Sequence, residues 1–305
     1  MASRAPVNIV TGAFGYTGRY ITALLLQRGV RVRTLTNHPH RVHPFGEMVE
    51  AVPLSFDNPD ALARNLQGAQ ALFNTYWMRF ARGEQTFNRA IHNVKTLIDA
   101  ARRAGVERFI HISITNADAN SSLPYFAGKG ITEQYLMRSG LSYAILRPAI
   151  IFGPQEILLN NIGWMLRRFP LFTVPGKGHY RVQPVFAADL AELAADMANE
   201  SRDLAIDAVG PEILTFNQLV ALLARTVGSK ARIVHVSPWV ELLVARIFSK
   251  MTGDITLTRD EIRGLMRDLL VSKGAPTAKT RLSEWLSVNA GAFGTEYRSE
   301  MALRV

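Results

Sequence analysis

Hydrophobic positions change period repeatedly along the first half of the chain. Residues 7–11 form a short, β-branched apolar run, the signature of a buried strand. Residues 16–28 follow with helical spacing, and Gly29 stands where such a helix would end. Strand-like runs return at 30–36, more weakly at 48–54, then at 69–75, 108–113 and 141–147. Helical stretches separate them. One opens at Asn58-Pro59, with Asn58 as cap and Pro59 in the first turn; others cover 84–104, closed by Gly105, and 125–138. Strands alternating with helices make βαβ units, which build a parallel sheet covered on both faces. Ligands of such a sheet sit outside the carboxyl ends of its strands.

After residue 151 the rhythm loosens. Residues 171–186 look like two extended runs around a Pro-Gly-Lys-Gly turn. A helix is predicted over 187–198 and a strand over 204–209. Thr215 caps a helix over 216–226, a strand follows at 231–236, and two helical stretches precede a polar tail. The expected organisation is an α/β chain with a doubly wound parallel sheet over 1–150 and a smaller mixed region over 151–305 closing the substrate side. The stretch that begins at Pro238 is amphipathic and too short to cross a bilayer; a packed helix and a membrane-surface or partner helix both fit it.

Composition narrows the functional classes. The net charge of +10 is spread along the chain, and Arg102-Arg103 and Arg167-Arg168 are pairs rather than runs. No nucleic-acid footprint is visible, though a basic field attracts an anionic cofactor or an acidic membrane surface. No apolar run reaches the roughly 20 residues of a membrane span, so no integral membrane segment is expected. The strand-like run at 7–11 leaves no room for a signal peptide, and a cytoplasmic location is the expectation. With no cysteine, disulfides and thiol nucleophiles are excluded. Three histidines within residues 38–43 lack a second ligand motif, and no metal is expected.

The segment Thr11-Gly12-Ala13-Phe14-Gly15-Tyr16-Thr17-Gly18 joins the first strand to the first helix. A diphosphate must approach bare backbone at such a turn, and the helix N-terminus offers it unpaired N–H groups and partial positive charge. Gly12 is expected to make the tight turn, Gly15 to admit the phosphate, and Gly18 to let helix pack closely on strand. The cofactor-binding set read from this turn is Gly12, Phe14, Gly15, Tyr16, Thr17 and Gly18. At the end of the second strand, Thr36-Asn37-His38 contains no acid and Arg41 follows. An acid there would repel a 2′-phosphate, so the expected cofactor is NADP, with NAD, held through Asn37, as the alternative.

The glycine pattern, Phe56-Asp57, Asn93, the run His111-Ile112-Ser113, Tyr125-Phe126-Ala127-Gly128-Lys129, residues 146–154 and residues 184–191 together resemble the short-chain dehydrogenase/reductase superfamily in its extended and atypical branches. The likeness covers about residues 7–210 and is nearest to the epimerase/dehydratase-like and NmrA-like groups and to the nucleotide-binding accessory subunit of respiratory complex I. The resemblance implies a Rossmann-type fold, Asp57 against the adenine, Asn74 and Thr75 beside the ribose and nicotinamide, and Pro148 along the nicotinamide. It also implies a catalytic Tyr125 with Lys129, four residues on, as its electrostatic partner. An ammonium beside a phenol lowers the phenol's pKa and makes it a usable acid/base. The family's serine position holds Ile114, so Thr115 or Ser113 is expected to hold the reacting oxygen. Gly128 and Gly130 flank the lysine and leave that turn either loose or crowded. Tyr76, Trp77 and Phe80 either wall an apolar substrate pocket or serve packing. The expected activity is hydride transfer to or from a carbonyl or alcohol; the alternative is a non-catalytic NAD(P)H-binding redox sensor or complex-assembly factor.

Overall fold

A computed structural model of the chain describes residues 7–81, 83–254 and 257–299. Its described residues divide into two compact units, one up to Pro148 together with Ala187–Asp207, the other Ala149–Phe186 together with the residues from Ala208 on.

In the first unit the strands are β1 (Val7–Thr11), β2 (Arg31–Thr36), β3 (Val49–Pro53), β4 (Ala69–Asn74), β5 (Arg108–Ile112) and β6 (Tyr143–Pro148). With Leu204–Ala208 at one edge they form a seven-stranded sheet in the order Leu204–Ala208, β6, β5, β4, β1, β2, β3. The pairs among β1 to β6 are all parallel. Strand order reverses beside β1, whose Thr11 pairs with Leu35 on one side and Asn74 on the other. In open parallel sheets ligands bind at such a switch point, here the carboxyl ends of β1 and β4.

The helices are α1 (Tyr16–Gln27), α2 (Pro59–Leu66), α3 (Phe87–Ala104) and α4 (Pro124–Met137). Helices α2, α3 and α4 pack side by side on one sheet face, where Leu62, Leu97 and Ile98 meet Ile9, Leu72 and Phe109, all fully buried. Helix α1 packs instead on Ala187–Met197. The caps follow local chemistry: Asn58 accepts from the Ala61 N–H, Thr86 from Arg89, and Gly105 ends α3 at φ +71°. A cut at residue 150 leaves out the returning segment, which is tied back by long-range contacts. Arg108 donates to the Met197 carbonyl at 2.6 Å and to that of Arg202 at 2.8 Å.

In the second unit the two runs of 171–186 do not pair with each other. Leu171–Pro175 lies parallel to Arg232–Val236, and Arg181–Val182 antiparallel to Leu214–Thr215. Thr215 and Gln218 form a reciprocal capping box at the start of Phe216–Thr226. Two helices escape the periodicity. Leu158–Arg168 buries Asn160 and Asn161, whose amides donate to the Glu296 and Arg298 carbonyls at 2.9 and 2.8 Å, so its inward face is partly polar. The expected polar tail contains Leu282–Asn289, short but anchored by buried Leu282 and Leu286.

Candidate functional site

The glycine turn forms where β1 meets α1. Gly12 adopts φ +68°, a conformation that L side chains rarely take, and its N–H donates to the Leu35 carbonyl at 3.1 Å. The Gly15 N–H closes the turn onto the Gly12 carbonyl at 2.9 Å, and Gly15 then caps α1 without any side-chain hydrogen bond. A Cβ on Gly18 would strike the Gly12 carbonyl group, 2.8 Å from its carbon. Gly18 therefore packs the helix on the turn itself rather than on the strand. Gly15 is exposed, and a Cβ there would meet only the Gly12 carbonyl oxygen within 4 Å, so the space above it is open. A tight turn, an exposed glycine and the N-terminus of a helix together fit a dinucleotide diphosphate.

Around this cradle, Phe14 stacks on His43, ring centroids 4.0 Å apart. Tyr16 and Thr17 occupy the first turn of α1. Asn37 and Arg41 are exposed just beyond β2, and Asp57 is exposed just before α2. Arg33 faces elsewhere: it is bonded to Glu50 and the Asn65 carbonyl, each at 2.9 Å. Thr75 borders the cradle, 3.5 Å from where a Gly12 Cβ would lie, and its hydroxyl donates to the Thr11 carbonyl.

Asn74 differs from expectation. It is fully buried, accepts from the Thr11 hydroxyl at 3.0 Å and from the Tyr76 N–H at 3.1 Å, and donates to His111 Nδ1 at 3.0 Å. Its amide holds strands together rather than facing a ligand. The chain of contacts continues from His111 Nε2 to the Thr132 hydroxyl at 3.4 Å, which donates to the Lys129 carbonyl at 2.9 Å. Burial, then the Lys129 charge, push His111 well below its ordinary pKa, so the ring is neutral.

Tyr125 and Lys129 lie one turn apart on α4, and both touch Trp77. The Tyr125 ring stands edge-on to Trp77 at 6.2 Å, and the Lys129 ammonium lies 4.5 Å from the same indole centroid. Phe87 and Phe126 also stand edge-on to Tyr125. Lys129 is 3 % exposed and donates to the Ile112 carbonyl at 2.6 Å. Burial lowers its pKa to about 7, against a smaller opposing pull from Glu133. The Trp77 indole N–H is buried with no hydrogen-bond partner among the described residues.

The glycines beside Lys129 are crowded, not loose. A Cβ on Gly128 would lie 2.9 Å from Trp77, and one on Gly130 would collide with the backbone of Asp118 and Ala119. Ser113 is engaged within the fold: its hydroxyl donates to the buried Glu133 carboxylate, which Arg147 clamps at 3.0 and 3.1 Å through Nε. Ser113 thus belongs to a buried ion-pair network. Thr115 is fully buried, and its N–H donates to the Pro148 carbonyl at 2.9 Å, which places Pro148 beside it at the end of β6. Glu133 was missed as a site residue, although it stands four residues after Lys129 on the same helix. Tyr76, Trp77 and Phe80 divide: Phe80 is buried, Tyr76 accepts from the Asn93 amide at 2.8 Å, and Trp77 touches both Tyr125 and Lys129.

Residues 12–157 match the model of a family described as NAD(P)H-binding. The chain is 22 % identical over 288 residues to the mitochondrial NADH dehydrogenase [ubiquinone] 1 alpha subcomplex subunit 9 of Arabidopsis thaliana, covering 88 % of this chain and 72 % of that one. It is 28 % identical over 278 residues to a ceramide reductase of Caulobacter vibrioides, covering 89 % and 86 %. Among solved structures, an NADPH-dependent quinone oxidoreductase of Escherichia coli superposes with a TM-score of 0.74 at 22 % identity, over 92 % of this chain and 99 % of that one. That likeness confirms the Rossmann-type fold.

Proposed function

We propose, on the premise that residues 12–157 are a domain of the NAD(P)H-binding family, that this chain is an NAD(P)H-dependent oxidoreductase acting on a carbonyl or alcohol compound. The observation that carries this reading is Lys129. It is buried beside Tyr125, forms no ion pair among the described residues, and is held near neutrality. Burying a lysine without a direct ion pair is costly to the fold, and groups so perturbed cluster where proton transfer is needed.

The nicotinamide, when bound, supplies the hydride. The protein's part is to place the diphosphate on Gly12, Gly15 and Gly18 and to move the proton. The Tyr125 phenol gives its proton to the substrate oxygen as the carbonyl becomes an alcohol, and Lys129 favours the phenolate left behind. Thr115, two residues from Ser113 on the same side of the extended segment, is assigned the role of holding that oxygen, since the Ser113 hydroxyl donates to Glu133. The neutral end of β2, with Asn37 exposed and Arg41 nearby, favours NADP over NAD. The ceramide reductase likeness supports reductase chemistry.

A second reading is a nucleotide-binding protein without turnover, a redox sensor or a complex-assembly factor. The commitment of Lys129 to the Ile112 carbonyl and of Ser113 to Glu133 favours it, as does the likeness to a complex I subunit. Titrating NADPH and NADH by fluorescence and following nucleotide oxidation over a carbonyl and quinone panel separates the two. The first reading expects Tyr125→Phe to lower turnover by about 10²–10⁴-fold while nucleotide affinity survives. A wild-type protein that binds nucleotide and oxidises none of it with any acceptor overturns the enzyme reading.

A further inference from the structure

The helix Pro238–Thr252 turns its apolar side outward. Glu241 and Ala245 are its buried residues. Trp239, Leu243, Ile247 and Met251 recur every four positions on the opposite side and are 68, 58, 54 and 70 % exposed. Val240 and Val244 widen the stripe. A helix meant for water carries the reverse pattern, with its apolar stripe toward the core. An outward apolar face of this breadth marks an interaction surface.

Cations fringe this face. Arg246 and Lys250 are exposed along one margin of the stripe. The neighbouring helix Arg259–Met266 shares with it a groove of about 300 Å³, with Leu242 and Ile262 among its lining and Arg259, Arg263 and Arg267 around it. The Arg259 guanidinium lies 5.1 Å from the Trp239 ring centroid, so one guanidinium and one indole share the mouth. Apolar side chains beside a fringe of guanidinium groups suit a surface that is anionic at one depth and hydrocarbon just beneath. A phosphate headgroup above an acyl chain has that layering. The net charge of +10 adds a long-range field of the same sign. With 15 residues the helix is about 22 Å long, less than the roughly 30 Å of hydrocarbon in a bilayer. No described helix is long and apolar enough to cross a membrane.

We propose that this face docks on an anionic phospholipid bilayer. The helix lies in the interfacial plane, with Trp239, Leu243, Ile247 and Met251 in the upper acyl region and the arginines at the phosphates.

The test is co-sedimentation of the full chain with vesicles of phosphatidylcholine alone and of phosphatidylcholine mixed with phosphatidylglycerol. Wild-type protein is expected to bind the mixed vesicles and not the neutral ones, and to bind less as salt rises. Leu243→Glu with Ile247→Glu is expected to weaken binding by about a hundred-fold or more, and Arg263→Glu by about five-fold or more. Both apolar positions are exposed, so the double variant should keep its thermal midpoint and nucleotide affinity, which are measured alongside. Absence of wild-type binding to the mixed vesicles overturns the proposal, and so does equal binding by the double variant. A wild-type dimer in light scattering, made monomeric by the same double substitution with no vesicle binding, assigns the face to protein contact and also overturns it.

Discussion

At the scale of single residues, Lys129 concentrates the physics of the site. Its pKa is lowered from 10.5 to about 7 by burial. Between those values the unfolded chain holds the proton that the folded chain has released, so this group makes stability rise with pH from about 7 to about 10.5, by at most about 1.4 kcal/mol per pH unit. Lys129→Met should remove that component, and urea midpoints of the two proteins across this range measure the difference. His111 acts on the acid side. Its folded pKa lies well below 6.5, so its contribution is lost as pH falls below the unfolded value. Gly18 was legible from its spacing, but the atom it must clear, the Gly12 carbonyl, was not. Gly18→Ala should abolish nucleotide binding in a fluorescence titration, because backbone rather than a yielding side chain occupies the place of the new methyl group.

At the scale of elements, α4 is fixed less by its own sequence than by what it packs on. The helix begins without a side-chain cap, and its glycines lower its intrinsic propensity. The Glu133–Arg147 pair secures it to β6, with the Ser113 hydroxyl on the same carboxylate. Arg147→Met should cost about 3–5 kcal/mol in urea unfolding, because Glu133 is left as a buried charge without its partner. Adding Glu133→Gln should recover part of that loss. The periodicity located this helix and the Tyr125–Lys129 spacing, yet gave no sign that Ser113 points to Glu133. Alternation in a strand tells which face a side chain takes, not which residue of a neighbouring helix meets it.

For the whole molecule, the cradle stands at the switch point beside β1, so the proposed nucleotide binding would be coupled to the folded sheet. A ligand that binds only the folded state stabilises it by about 2.7 kcal/mol at a hundred times its dissociation constant. NADPH is therefore expected to raise the thermal midpoint of the wild type, and the Gly18→Ala protein should show no such rise. The return of Ala187–Asp207 to the first unit illustrates what a linear cut misses. Its contacts, such as Arg108 to the Met197 carbonyl, join residues far apart in the chain, and no local pattern encodes them.

The amino-acid sequence alone determined the alternation of strands and helices, the helix caps at Asn58 and Thr215, and the glycine turn with its place before α1. These depend on local sterics, hydrogen bonding within a few residues and periodic burial, all written in neighbouring positions. Tertiary structure alone decided which polar groups are spent inside the fold. Asn74 went to His111, Ser113 to Glu133, and Lys129 to the Ile112 carbonyl under Trp77. A buried polar side chain takes whichever partner the packing brings within about 3 Å, and that partner is chosen by the path of the whole chain.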